Sequence, residues 1–185
     1  AYRFLLSKKN LPSIFSQNNI NLFFGRGRHF VTYPTGNEDM INFVFCKREK
    51  NHLVNDWKEK VTKQQFFKDF ELNDCLRICL SNVKTVYRWP IIESGLPSAI
   101  HKKNVVLVGD AAHGMLPYLA QGANKALEDS WELAKCIKTY PLDLNKGLKK
   151  YSEKRIKRIK KLDKVSRLNE KVYHLEQKLF RAVFL

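Results

Sequence analysis

Residues 104–134 read NVVLVGDAAHGMLPYLAQGANKALEDSWELA, and the fold class turns on this stretch. Val105–Val108 is an unbroken apolar run between Lys102–Lys103 and Gly109. Four aliphatic residues in a row predict a central parallel strand buried on both faces. Gly109, Asp110, Ala111 and Ala112 then leave the strand with little side-chain bulk, so a ligand can approach the backbone there. Asp110 falls where the carboxyl end of a parallel strand meets a ligand crevice. Beyond Pro117, Gln121, Gly122, Ala123 and Asn124 open a helix that runs on through Trp131 to Ala134. A helix start of small residues presents free N–H groups and the positive end of the helix dipole. The plainer alternative is an ordinary strand–loop–helix in which Asp110 has no ligand.

Outward from this stretch, the pattern changes. Tyr2–Leu6, Asn21–Phe24, Phe30–Tyr33, Met40–Phe45 and Val83–Trp89 read as strands, the third and fourth joined by a Gly/Asn turn over Thr35–Asp39 into an antiparallel hairpin. The spacing predicts surface helices within Asn51–Phe70, anchored by Trp57, Phe66, Phe67 and Phe70, and a short helix over Asp74–Leu80. After a break at Tyr140–Asp143, apolar residues recur every three or four positions from Leu148 through Leu162, Val165 and Leu168 to Leu175 and Leu179. That spacing predicts C-terminal helices with an apolar stripe against the body and lysines in water.

With 185 residues, 44% of them hydrophobic, the chain can bury a substantial core. Its net charge is +16, and residues 146–171 carry +9 of it, twelve Lys/Arg against three acids. A basic face of this kind is a solvated helix surface or a site for nucleic acid or anionic lipid; the solvated surface is the simpler expectation. Cys46, Cys75, Cys79 and Cys136 form neither a C-x-x-C pair nor a zinc spacing with histidine, so no metal is expected. Without a signal peptide or an apolar run that could span a bilayer, the expected setting is the reducing cytoplasm.

Gly109-Asp110-Ala111-Ala112-His113, Pro117, Gln121-Gly122-Ala123-Asn124 and Glu128-Asp129 together resemble the second flavin-binding motif of the FAD-dependent aromatic hydroxylases, the group of p-hydroxybenzoate and salicylate hydroxylases. Gly25-Arg26-Gly27-Arg28-His29, Tyr33-Pro34 and Asn42-Phe43-Val44 resemble the salicylate-hydroxylase branch, as do Arg88-Trp89-Pro90 and Tyr151–Arg155. The resemblance implies a mixed α/β (α+β) protein with an antiparallel substrate-domain sheet. To this it adds the C-terminal strand and helices of a Rossmann-like FAD-binding domain. The implied segments are 1–100 for the sheet, 101–139 for the strand–loop–helix and 140–185 for the basic helices. No G-x-G-x-x-G follows a strand, since Gly25-Arg26-Gly27 lacks a third glycine and a helix. The N-terminal dinucleotide-binding βαβ unit is thus missing, and the chain reads as the C-terminal half of a longer protein.

By the same resemblance, Gly109, Asp110, Ala111, Pro117, Gln121, Gly122, Ala123 and Asn124 bind FAD. Asp110 takes the ribityl hydroxyls, and the Gln121–Asn124 amides take the pyrimidine edge of the ring. His29 and Tyr33, four apart on one face of a strand, point at an aromatic substrate, or else are sheet residues with satisfied polar tips. The implied chemistry has NAD(P)H reduce FAD, O2 add to give a flavin C4a-hydroperoxide, and one oxygen pass to a phenolic or salicylate-like ring. The expected partners are that small aromatic and O2, with a homodimer allowed and no nucleic acid or membrane surface required. Two rivals stay open: an epoxidase, halogenase or reductase on the same scaffold, and a non-catalytic basic fragment.

Overall fold

The computed structural model describes residues 1–16, 18–36, 39–49, 57–70, 72, 74–81, 83 and 85–174. These fall into two compact units, Ala1–Ile91 with the described residues from Val172, and Ile92–Lys171. The expected segments 101–139 and 140–185 therefore share one unit as far as Lys171.

In the first unit, six strands make one antiparallel sheet: β1 (Tyr2–Ser7), β2 (Asn21–Gly25), β3 (Arg28–Pro34), β4 (Met40–Lys47), β5 (Glu59–Val61) and β6 (Val86–Arg88). Their spatial order is β2-β3-β4-β1-β6-β5. Strict alternation decides the faces. Phe43 and Phe45 of β4, Phe30 of β3 and Tyr2 and Phe4 of β1 enter the core. Val44, Cys46 and His29 point the other way. A Lys8–Asn10 3-10 turn and the short helices α1 (Ser13–Ser16), α2 (Lys63–Asp69) and α3 (Asp74–Ser81) complete the unit. From these, Phe15, Phe66 and Leu80 join the core cluster, with Phe70 from the residue after α2.

Phe66 meets the rings of Tyr2, Phe4, Phe45 and Phe70 edge-on or tilted, with centroids 5.1 to 5.7 Å apart. Thr62 starts α2 with a capping box, its hydroxyl accepting from Gln65 N while Gln65 Oε1 accepts from Thr62 N. The Arg26-Gly27 turn between β2 and β3 needs Gly27 in the left-handed region (φ 63°), which explains the glycine without any nucleotide.

Two expectations are corrected here. Trp57 is 70% exposed and anchors nothing, and the helical reading fails over Glu59–Val61, which is an edge strand whose Val61 alone turns inward. Pairing with β6 outweighs the helical propensity of that charged segment. Residues 51–56 of the same expectation, and Asn37 and Glu38 of the hairpin turn, lie outside the described residues.

The second unit carries the hairpin β7 (His101–Lys102) and β8 (Val105–Val106), then α4 (Asp110–His113), α5 (Gly122–Thr139) and α6 (Leu144–Tyr173), whose last two residues count with the first unit. Among the described residues, the apolar run has no parallel neighbour and is not buried on both faces. Only Val105–Val106 is extended, it pairs antiparallel with β7, and Val105 is 65% exposed. Burial on both faces needs a strand on each side and helices above and below; the described residues supply one two-residue partner.

Among the described residues of the C-terminal segment, one helix, α6, stands where several were expected. Its buried face holds Leu148, Tyr151 and Ile159, but also Ser152, Arg155 and Ser166, while Val165 and Leu168 are exposed. Leu175 and Leu179 of the expected stripe lie outside the described residues. Gly147 lets α6 approach α5 closely, for a Cβ there would stand 3.2 Å from Cys136 O.

Phe66→Ala is expected to cost about 3–5 kcal/mol, because it empties the centre of an aromatic cluster. Urea denaturation followed by tyrosine and tryptophan fluorescence checks this; a loss under about 1 kcal/mol contradicts the packing described.

Candidate functional site

Gly109 begins the site. Its φ of 58° and ψ of −142° belong to glycine alone, and an added Cβ would touch Ala126 Cβ at 3.4 Å. The turn therefore lies against the first turns of α5. Asp110 follows as the first residue of α4, exposed and with no hydrogen bond among the described residues. Gly109 N–H instead donates to Asp129 Oδ2 at 2.8 Å, from the third turn of α5.

Asp129 is fully buried and gathers the surrounding polar groups. Its Oδ2 also accepts from His113 Nε2 at 2.6 Å, and its Oδ1 accepts from Arg155 Nε of α6 at 2.5 Å. Arg155 Nη1 donates to Glu128 Oε2 at 2.8 Å, and its Nη2 to the carbonyl of Lys125 at 3.3 Å. Burial alone would push the Asp129 carboxyl up. The bonds from His113, Gly109 N–H and Arg155 overcome that and hold it below the ordinary aspartate range. His113 is thus fixed inside the unit as a donor to Asp129, and is not exposed to a ligand.

The rest of α6 secures the loop backbone. Tyr151 Oη donates to Leu107 O at 3.0 Å, Ser166 Oγ to Leu116 O at 3.0 Å and Asn169 Nδ2 to Tyr118 O at 3.1 Å. Ala120 sits left-handed at φ 51°, its N–H donating to Pro117 O at 3.1 Å, and this tight turn delivers the chain to α5. Gln121 caps α5 without a side-chain bond to its backbone amides, its Oε1 accepting instead from Asn124 Nδ2 at 3.3 Å. Intrahelical bonding starts at Lys125 N–H, which donates to Gln121 O at 2.9 Å. The N–H groups of Gly122, Ala123 and Asn124 stand exposed at the head of an 18-residue helix.

Of the predicted ligand residues, Gly109, Asp110 and Ala111 come together with the head of α5. Ala126 abuts Gly109, and Lys125, which begins the second turn, feels the Asp110 charge. Pro117 closes the intervening loop. An acceptor-only carboxylate and three free amide donors share one end of this unit, a set that suits a ligand carrying hydroxyl donors and a separate acceptor or negative edge. Sequence inspection gave no role to Asp129, Arg155 or Lys125. The signal was available in Arg155, a charged residue set in the apolar stripe of α6.

His29 and Tyr33 belong to the other unit. Pairing of β3 with β4 (His29 opposite Cys46, Tyr33 opposite Asn42) leaves both on the face away from the phenylalanine core. Tyr33 is 37% exposed, whereas His29 is 6% exposed, its Nδ1 3.0 Å from His174 Nε2 and its ring 5.3 Å from that of Tyr173. Burial, then the neighbouring His174 and N-terminal charges, lower its pKa to about 4.

Residues 6–166 match the family model described as FAD binding domain. The chain belongs to that family. The FAD binding domain resembles 3-amino-4-hydroxybenzoate 2-monooxygenase PtnB3 of Streptomyces platensis, 26% identical over 176 residues that cover 95% of this chain and 44% of that protein. It also resembles 3-hydroxybenzoate 6-hydroxylase of Polaromonas naphthalenivorans (strain CJ2), 28% identical over 180 residues, 95% of this chain and 44% of the relative. Among solved structures it superposes on a salicylate hydroxylase in its substrate complex with a TM-score of 0.80. That match is 22% identical and covers 99% of this chain and 51% of the other; it shows a shared fold. The chain spans less than half the length of these curated relatives. Within the FAD binding domain, no described helix is long and apolar enough to cross a membrane.

Asp129→Ala is expected to cost about 3–5 kcal/mol, since it leaves His113 and the Gly109 amide without their acceptor and Arg155 with Glu128 alone. Asp110→Ala, on an exposed side chain, should stay within about 0.5 kcal/mol of wild type. Chemical denaturation of the pair checks the contrast, and equal losses contradict it.

The His29 shift also fixes a pH dependence. A histidine near 6.5 when unfolded and about 4 when folded binds its proton more readily in the unfolded chain. Its stabilising contribution is complete above pH 6.5 and is lost as the pH falls toward 4. Stability should therefore fall more steeply over that window in wild type than in His29→Gln; parallel curves contradict the burial of this imidazole.

Proposed function

We propose that this chain is the part of an FAD-dependent monooxygenase that holds the ribityl chain and pyrimidine edge of the cofactor and carries the substrate sheet. The enzyme hydroxylates a phenolic or salicylate-like aromatic using NAD(P)H and O2. The observation that carries the reading is the convergence of the exposed, uncommitted Asp110 carboxylate with the unbonded amides at the head of α5, both held on a buried Asp129 scaffold. The aromatic-acid substrates named for the curated relatives support the substrate class.

The residues present fit one half of FAD. Asp110 accepts hydrogen bonds from the ribityl hydroxyls, which need an acceptor without a competing donor. Gly109 and Ala111 keep that surface bare. The amides of Gly122, Ala123 and Asn124 would hold the pyrimidine edge of the ring, where dipole and N–H groups favour negative charge. Pro117 fixes the loop that walls the ring. For the adenine-diphosphate half, the described residues hold no glycine-rich strand-to-helix turn.

Bound FAD supplies the redox chemistry, taking electrons from NAD(P)H and activating O2. The protein's part is position and exclusion of water. His29, kept neutral at working pH by its burial, offers an imidazole for the substrate phenol. Tyr33, four residues along β3, lies about 13 Å away by strand rise, so the two side chains meet different ends of a ring placed between them.

In the full-length protein, Asp110→Ala should weaken FAD retention by roughly ten- to a hundredfold, the worth of hydrogen bonds to a charged acceptor. Ultrafiltration with fluorescence of released flavin reads this, and unchanged retention removes Asp110 from the site. NAD(P)H oxidation by the same protein should accelerate with a phenolic acid; indifference to every aromatic tested contradicts hydroxylation.

A further inference from the structure

The Lys125 side chain takes no part in the Asp129–Arg155 hydrogen bonding beside it, although its carbonyl accepts from Arg155. It starts the second turn of α5, on the same face as Asp129, and is 3% exposed. Its ammonium makes one hydrogen bond, to Met115 Sδ at 3.0 Å. A thioether is a weak acceptor, so little of the charge is answered there. No carboxylate is in ion-pair contact with it among the described residues; burial and the Arg155 charge act against the ammonium, while Asp110, Asp129 and Asp163 favour it through space.

Two of those three acids are already committed. Asp129 serves Gly109, His113 and Arg155, and Asp163 takes Arg167 Nε at 2.9 Å. Asp110 alone remains. The site thus leaves two charges unspent, a carboxylate facing outward and an ammonium enclosed behind the head of the helix. Enclosing an ammonium costs several kcal/mol unless something compensates, and an aliphatic side chain would fill the space without that cost.

We propose that Lys125 sets the redox poise of the bound cofactor, its enclosed positive charge stabilising the pyrimidine edge of FAD when that edge becomes negative on reduction. The inference rests on the reading that Asp110 and the head of α5 hold FAD. Charge at low effective dielectric acts over several ångströms without contact, so Lys125 is a positioning residue that works with the exposed amides of Gly122 and Ala123. Its demand is selective: oxidised FAD is neutral at that edge and gains little from it.

The test is a reductive titration of the full-length flavoprotein against reference dyes, comparing wild type with Lys125→Met, Lys125→Gln and Lys125→Arg. Loss of the charge is expected to lower the ratio of reduced- to oxidised-FAD affinity about tenfold, a midpoint about 30 mV more negative for a two-electron couple. Oxidised-FAD affinity should stay within about threefold. Lys125→Arg should restore the potential, and Lys125→Met should unfold at no lower temperature than wild type. Should the methionine variant fail to fold, the glutamine variant carries the comparison. A potential unchanged in both neutral variants overturns the proposal, as does a fall in unfolding temperature with no change in potential. A wild-type protein that retains no FAD overturns the reading beneath it instead.

Discussion

A single carboxylate holds the Gly109 end of the second unit together. Asp129 binds a backbone N–H at the Gly109 turn, an imidazole from α4 and a guanidinium from α6, and it does so in the interior. Each partner alone would be costly to bury; together they neutralise one another's polar demand. The consequence is positional. With Gly109 pinned to α5, the Asp110 carboxylate has no hydrogen-bond partner among the described residues and is presented beside the helix head. Asp129 and Asp110 thus divide the work of the motif, one spent on the fold and the other left for a ligand.

The long helix extends this arrangement. Its buried face is not a hydrophobic stripe but an alternation of packing and donors, with Leu148, Tyr151 and Ile159 filling space while Tyr151, Ser166 and Asn169 bind loop carbonyls at 107, 116 and 118. The carbonyls of a loop outside regular secondary structure need donors from elsewhere to answer them. The polar residues of α6 do it by hydrogen bonding, which accounts for their place among the aliphatic positions.

The strength of sequence reading differed between the two units for a physical reason. Period-two alternation along β4, with Phe43 and Phe45 inward, makes the sheet legible from residue type alone. Gly109 was legible too, since few residues tolerate its positive φ, and the small polar run before an apolar period marked the helix start at Gly122. Val105–Val108 misled because its composition reports a burial that depends on neighbouring strands, and the single described neighbour is two residues long. Trp57 misled in the same way, as a large apolar residue that finds no cover. Asp129, Arg155 and Lys125 were hidden because their partners lie up to 30 residues away, on other helices or loops, and no local period encodes such a contact.

The central claim is that the Gly109 amide is bonded inside the protein while those heading α5 are not, and amide hydrogen exchange measures both in one sample. The account predicts that Gly109 N–H exchanges as slowly as amides in the interior of α5, while Gly122 and Ala123 exchange near the rate of solvent-exposed backbone. A Gly109 amide exchanging as fast as that of Gly122 would contradict it.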